Sequence, residues 1–155
     1  MRSIQSWLTE YGESHQSPVN KSIHWICIPL IMVSLVGLLW SIPEPIRWIR
    51  VSVFLNWGVL FLVLALVYYY ALNWRLAIGM SIVGIATVAV VYEAGQVTSA
   101  IWQLALPIFV MAWIGQFVGH RIEGRKPAFF RDLQFLLIGP LWLLAALYQR
   151  LGFPY

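Results

Sequence analysis

Long apolar runs separated by short polar breaks organise this chain. The first segment, residues 3–13, differs from the rest. Ile4, Trp7, Leu8 and Tyr11 recur at helical spacing, opposite Gln5, Ser6, Glu10 and Glu13. This pattern predicts a short amphipathic helix, either lying on a membrane surface or packed on the protein's own loops, with Gly12 ending it. Five apolar runs follow, at residues 23–41, 49–72, 76–92, 100–118 and 133–151. Pro29 falls near the start of the first run, where proline is best tolerated. The breaks are Ile42-Pro43-Glu44-Pro45, Asn73-Trp74-Arg75, Glu93-Ala94-Gly95-Gln96 and a charged segment over residues 119–132. Pro107 lies inside the fourth run as an expected kink, and Pro140 in the middle of the fifth.

Continuous apolar stretches of roughly 17–25 residues have the length a helix needs to cross hydrocarbon. A transmembrane barrel would alternate polar and apolar residues instead. The expected fold is therefore all-α: a polytopic membrane helix bundle of about five hydrophobic helices plus the N-terminal amphipathic helix, in a single domain over residues 1–155. Composition agrees. The chain is 61% hydrophobic and 10% charged, with mean hydropathy +0.77, whereas a soluble domain carries about 25% charged residues. Nine tryptophans and seven tyrosines suit membrane–water interfaces. No cleavable leader is expected, because the polar segment with Glu10 and Glu13 precedes the first apolar run. Cys27 is the single cysteine, so no intrachain disulfide can form.

Alternating crossings place the start of the first run and the end of the fourth on one face of the membrane. That face holds Arg2, Lys21, Arg75, Arg121, Arg125, Lys126 and Arg131, which is 7 of the 10 basic residues. The positive-inside rule makes it cytoplasmic, and the net charge of +4 then needs no nucleic-acid partner. Arg47, Arg50 and Arg150 fall on the other face, Arg150 only if the fifth run crosses fully.

The same alternation unites the three histidines of the chain, His15, His24 and His120. His24 sits at the first turn of its span. His120 and Glu123 are at i and i+3, so a continued helix points them to one side. Polar rings abutting apolar helices need a reason to be there. Imidazoles with little sulfur around them suit iron, zinc or copper, and two or three histidines leave positions open on Fe(II) for oxygen and a chelating substrate. Glu123 ranks behind the histidines as a ligand, since it can instead pair with Arg121, Arg125 or Lys126. Asn20 is expected to cap the first span or brace a histidine, and Gln116, one turn before His120, to support it from behind. Cys27 is expected to pack, and Glu93, on the opposite face, to be structural. A channel or transporter using Glu93 and His24, and a non-catalytic scaffold, are the competing classes. Three histidines are too few for a histidine-rich desaturase or hydroxylase.

The motif H-x4-N-K-x2-H-W-x3-P from His15 to Pro29, followed by Q-F-x-G-H-x2-E-x3-P-A from Gln116 to Ala128, resembles the iron(II)-dependent 2-hydroxy fatty acid dioxygenases of α-oxidation. These are small membrane proteins long catalogued as a domain of unknown function. The similarity spans nearly the whole chain. One departure is Cys27, where the family usually has glycine. The resemblance implies shortening of a 2-hydroxy fatty acid by one carbon with molecular oxygen and Fe(II). In eukaryotes such enzymes act in phytosphingosine breakdown at the endoplasmic reticulum. It carries a metal role over to His15, His24 and His120, with His24 and His120 central to catalysis. Lys21, Arg121, Arg125 and Lys126 are then available for the substrate carboxylate. The expected location is a bacterial inner membrane or the endoplasmic reticulum membrane, with the metal site facing the cytoplasm.

Overall fold

The computed structural model describes residues 3–13, 15–124 and 135–155, with the side chains of Arg47, Ile49 and Arg50 outside the description. Seven helices are present among these residues: α1 (Ile4–Glu13), α2 (Pro18–Trp40), α3 (Ile46–Val51), α4 (Trp57–Leu72), α5 (Trp74–Val97), α6 (Ile101–Ile122) and α7 (Ile138–Leu151). Helices α2, α5 and α6 are long and apolar enough to cross a membrane, and α4 is a shorter apolar helix. Their outward faces carry exposed residues such as Leu64, Val67, Ile82, Ile85, Met111 and Ile114, as lipid contact requires.

Helix α2 is the axis of the bundle and packs against α4, α5, α6 and α7. Its closest partner is the antiparallel α6, and small residues make the approach possible. A Cβ built on Gly115 would come 2.7 Å from Cys27 Sγ, and one on Gly37 3.2 Å from Ala105 Cβ. Between helices in lipid, van der Waals packing of this kind replaces the hydrophobic drive available in water.

Several expected boundaries shift, each for a local reason. Helix α2 begins at Pro18, its N1 residue, where the missing N–H is one of the orphans of any helix start. That lengthens the helix by five residues over the apolar run, so Pro29 lies well inside it and His24 in its second turn. The expected second span, residues 49–72, is split. Buried Asn56 caps α4: its Oδ1 accepts from Val59 N at 3.0 Å and its Nδ2 donates to Val53 O at 2.9 Å. An asparagine N-cap ends the preceding helix more effectively than hydropathy continues it. Asn73 alone joins α4 to α5, accepting from Arg75 N and Leu76 N at 3.0 and 3.1 Å. Helices α5 and α6 each run past their apolar stretches, to Val97 and Ile122.

The largest correction concerns the fifth run. Helix α7 has 14 residues, about 21 Å at 1.5 Å per residue, and is not among the helices long and apolar enough to cross a membrane. Its first residues sit at mid-bundle, where Gly139 faces Ile28 and Pro140 faces Met32 and Met80. Its last turn returns to the end where α2 and α5 begin. Tyr148 Oη reaches Arg75 O, and the Arg150 guanidinium stacks on Trp25 at 5.4 Å. Arg150 therefore joins the basic residues of the histidine end. Pro140 is the third residue of α7 rather than its middle, so its missing N–H breaks no intrahelical bond. A helix ending inside the bundle is tolerated because protein covers it.

The amphipathic helix forms as expected, and of its two expected placements the structure shows packing on the protein. Leu8 and Tyr11 are buried. Trp7 and Tyr11 meet Phe135 edge-on at 5.9 and 5.5 Å, and Tyr11 meets Trp142 at 5.4 Å.

Candidate metal centre

His24 enters from the second turn of α2, His120 from the last turn of α6, and His15 from the loop between α1 and α2. All three are nearly inaccessible, at 0%, 4% and 2% exposure. Their rings pack edge to face, with centroids 4.3 Å apart for His15 and His24 and 5.0 Å for each to His120. One ligand nitrogen from each lies within 4.8 Å of the others.

The hydrogen bonds fix which nitrogen is offered. His15 Nδ1 bonds to the Tyr11 carbonyl at 2.7 Å, and His24 Nδ1 to the Asn20 carbonyl at 2.9 Å. A carbonyl only accepts, so Nδ1 carries the proton in both rings and Nε2 carries the lone pair. His24 Nε2 is buried and bonds to no described residue. A buried acceptor left that way costs about 1–3 kcal/mol, a cost that a bound cation removes. Three neutral imidazoles, preset in tautomer by backbone carbonyls, are the donor set that divalent iron, zinc or copper takes. The residues fit a metal ion.

An aromatic wall holds His15 in place. Tyr11 stacks on its ring at 4.2 Å and 12°, and Trp142 of α7 lies 5.4 Å away. Tyr11 was legible only as part of an amphipathic stripe, although its place one turn before His15 is what lets its carbonyl orient that ring. Nothing in the sequence pattern points to Trp142, because its contact depends on α7 returning to this end.

Glu123, the C-cap of α6, stands outside the histidine cluster. Its carboxylate accepts from the backbone N–H of Gln16, from Ser17 N at 3.3 Å, and from the Asn20 side-chain amide. It therefore serves the start of α2, where Ser17 makes no side-chain cap and where the helix dipole favours negative charge. Partial burial pushes its pKa up, but the Gln16, Asn20 and Ser17 donors outweigh this and hold the carboxyl below its usual range. Of the expected basic partners of Glu123, Arg125 and Lys126 lie outside the described residues; among the described residues the carboxylate bonds to Gln16, Ser17 and Asn20.

Asn20 is fully buried in the first turn of α2 and does not cap the helix. It braces Glu123 with its amide and His24 with its carbonyl. Its Oδ1 lies against the bare Cα of Gly119, a position only glycine leaves open. Gln116 is buried one turn before His120, on the wall of a small cavity with Tyr11, Ile28 and Trp113. Cys27 packs on Gly115, as expected. Glu93 is exposed near the opposite end of the bundle.

Of the expected carboxylate-binding cations, Lys21 lines an open groove with Ser22, Trp25 and Arg150, and Arg121 is exposed on α6 next to His120. Arg125 and Lys126 lie outside the described residues.

Comparison with known proteins gives one result that bears on this site. No curated protein and no solved structure matches the chain. Residues 1–151 match the family described as 2-hydroxy-palmitic acid dioxygenase Mpo1-like. With both histidine motifs inside that match, the chain belongs to the Mpo1-like family.

Proposed function

We propose that this chain is an Fe(II)-dependent dioxygenase that shortens 2-hydroxy fatty acids by one carbon, at a site facing the cytoplasm. The observation that carries the reading is the buried triad of His15, His24 and His120, with ligand nitrogens within 4.8 Å of one another in a chain of this family. Three protein ligands leave coordination positions for a bidentate substrate and for oxygen. A 2-hydroxy acid offers such a pair in its carboxylate and hydroxyl. Fe(II), when bound, supplies the redox chemistry that couples oxygen to removal of the first carbon.

The residues around the triad have separable tasks. Tyr11 and Asn20 carbonyls hold His15 and His24 in the Nδ1–H tautomer, aiming Nε2 inward. Glu123 fastens the end of α6 to the start of α2, so that ligands from two helices keep one geometry. Tyr11 and Trp142 cover His15 and exclude water from its ring. Gln116 offers an amide next to the triad for the substrate's polar head. Arg121 and Lys21, with Arg125 and Lys126, attract the carboxylate toward this end. Purified protein is expected to bind iron near one equivalent and to consume oxygen with 2-hydroxypalmitate but not with palmitate. Equal oxygen uptake with both acids would refute the substrate class.

A further inference from the structure

A groove of about 730 Å³ opens at the histidine end of the bundle, between α1, the start of α2 and the end of α7. Ligand pockets commonly measure roughly 300–1,000 Å³. Three helices supply most of the walls. Gln5, Leu8 and Thr9 of α1 form one side, and Pro18, Lys21, Ser22 and Trp25 of α2 another. On α7, Trp142 and Gln149 flank Ala145 and Ala146, whose small side chains leave room between them. Tyr155 closes the rim, its hydroxyl accepting from Gln149 Nε2 at 2.6 Å. None of the three histidines is among the walls, so this site stands independently of the triad and of the function proposed for it.

Charge decides what the groove takes. Lys21 and Trp25 lie one turn apart on one face of α2, and the Arg150 guanidinium of α7 lies over the Trp25 ring at 5.4 Å. The indole thus brings cations from two helices to one groove. Among the described residues, the wall side chains carry these two cations and no carboxylate. Lys21 is half-buried, and a partly buried charge is screened by salt less than an exposed one. Trp25, Trp142 and Tyr155 share the groove, as aromatic residues do at the level of lipid headgroups. Helix α2, which is long and apolar enough to cross a membrane, begins here, and that puts the groove at the same level.

We propose that this groove binds an anionic phospholipid of the surrounding bilayer, with the phosphate between Lys21 and Arg150 and the glycerol against Trp25 and the α7 alanines. Basic pockets between membrane helices hold acidic headgroups in this way. A fatty acid carboxylate has the charge but would fill little of the space. Gln5 and Thr9 on the facing wall offer an amide and a hydroxyl to the remaining oxygens of a polar headgroup.

Lipid retention tests it. Native mass spectrometry of the detergent-solubilised protein compares dioleoyl phosphatidylglycerol with dioleoyl phosphatidylcholine, which differ in net charge but not in tails. Wild-type protein is expected to prefer phosphatidylglycerol by about tenfold or more, and Arg150→Gln and Lys21→Gln each to lose about fivefold of that preference. Both positions lie at the surface, so the variants are expected to fold. Arg150→Lys keeps the charge and is expected to keep most of the preference. Arg75→Gln removes a cation of the same end that is not a wall of the groove and is expected to leave the preference unchanged. Equal retention of the two lipids by wild-type protein overturns the proposal. So does a loss in Arg75→Gln as large as in Arg150→Gln, which would mean diffuse attraction to a basic surface. Palmitate displacing phosphatidylglycerol at equal concentration overturns it too, by giving the groove to a free acid.

Discussion

Glu123, the residue that ends α6, accepts a hydrogen bond from the side-chain amide of Asn20, 103 residues earlier and in the first turn of α2. This one contact ties together the helices that carry His120 and His24, and the same carboxylate also takes the Gln16 and Ser17 N–H groups. Glu123→Gln keeps the shape but removes the charge. It is expected to lower stability by about 1 kcal/mol, less than a buried charge would give because the carboxylate is largely solvated, and to leave bound metal in place. The carboxyl sits below its usual range in the folded protein. Its stabilisation is therefore present above the ordinary carboxylate pKa and lost as pH falls through the depressed value. Thermal unfolding across pH should show wild type and Glu123→Gln converging in acid. A gap that persists or widens there would contradict the clamp.

The α2–α6 contact makes a second prediction. Gly115→Ala would push a methyl against Cys27 Sγ and is expected to cost about 1–3 kcal/mol by overpacking. Adding Cys27→Ala should recover much of that loss. Additive effects in the double-mutant cycle would show that the sulfur does not meet Gly115.

Topology is the third. Because α7 returns to the histidine end, with Arg150 over Trp25, a reporter fused after Tyr155 is expected on the cytoplasmic side and one in the Glu44 loop on the opposite side. Tyr155 and Glu44 labelling from the same side would contradict this arrangement.

These three predictions mark what was legible in the sequence. The apolar runs foretold α2, α5 and α6, and alternation put His15, His24 and His120 at one end, because long apolar runs between polar breaks mark helices of spanning length. The split at Asn56 and the early start at Pro18 depend on single capping residues that hydropathy averages away. The fate of the fifth run was hidden for a different reason. An apolar stretch reads alike whether lipid or protein covers it, and only Tyr148 at Arg75 and Arg150 at Trp25 reveal that α7 turns back. Glu123 looked like a ligand of last resort by spacing. Its clamp on Gln16, Ser17 and Asn20 needed the fold.

A fourth prediction concerns the cations. Lys21→Ala and Arg121→Ala are expected to raise KM for 2-hydroxypalmitate severalfold, as loss of a solvent-screened charge contact of about 1 kcal/mol would, with iron content unchanged. Iron loss in either variant would instead assign the side chain to holding the site together.

The most direct test is metal content of the histidine variants. His24 and His120 come from helices distant in sequence and bring their rings together at the triad, so each should be needed for binding. Wild-type protein, purified and reconstituted with Fe(II) without oxygen, is expected to hold about one iron per chain, and His24→Ala and His120→Ala to hold almost none while still inserting in the membrane. His15→Ala should weaken binding as well, given its Nδ1 bond to Tyr11 and its stack on that ring. Full iron occupancy in His24→Ala or His120→Ala protein would contradict the metal centre.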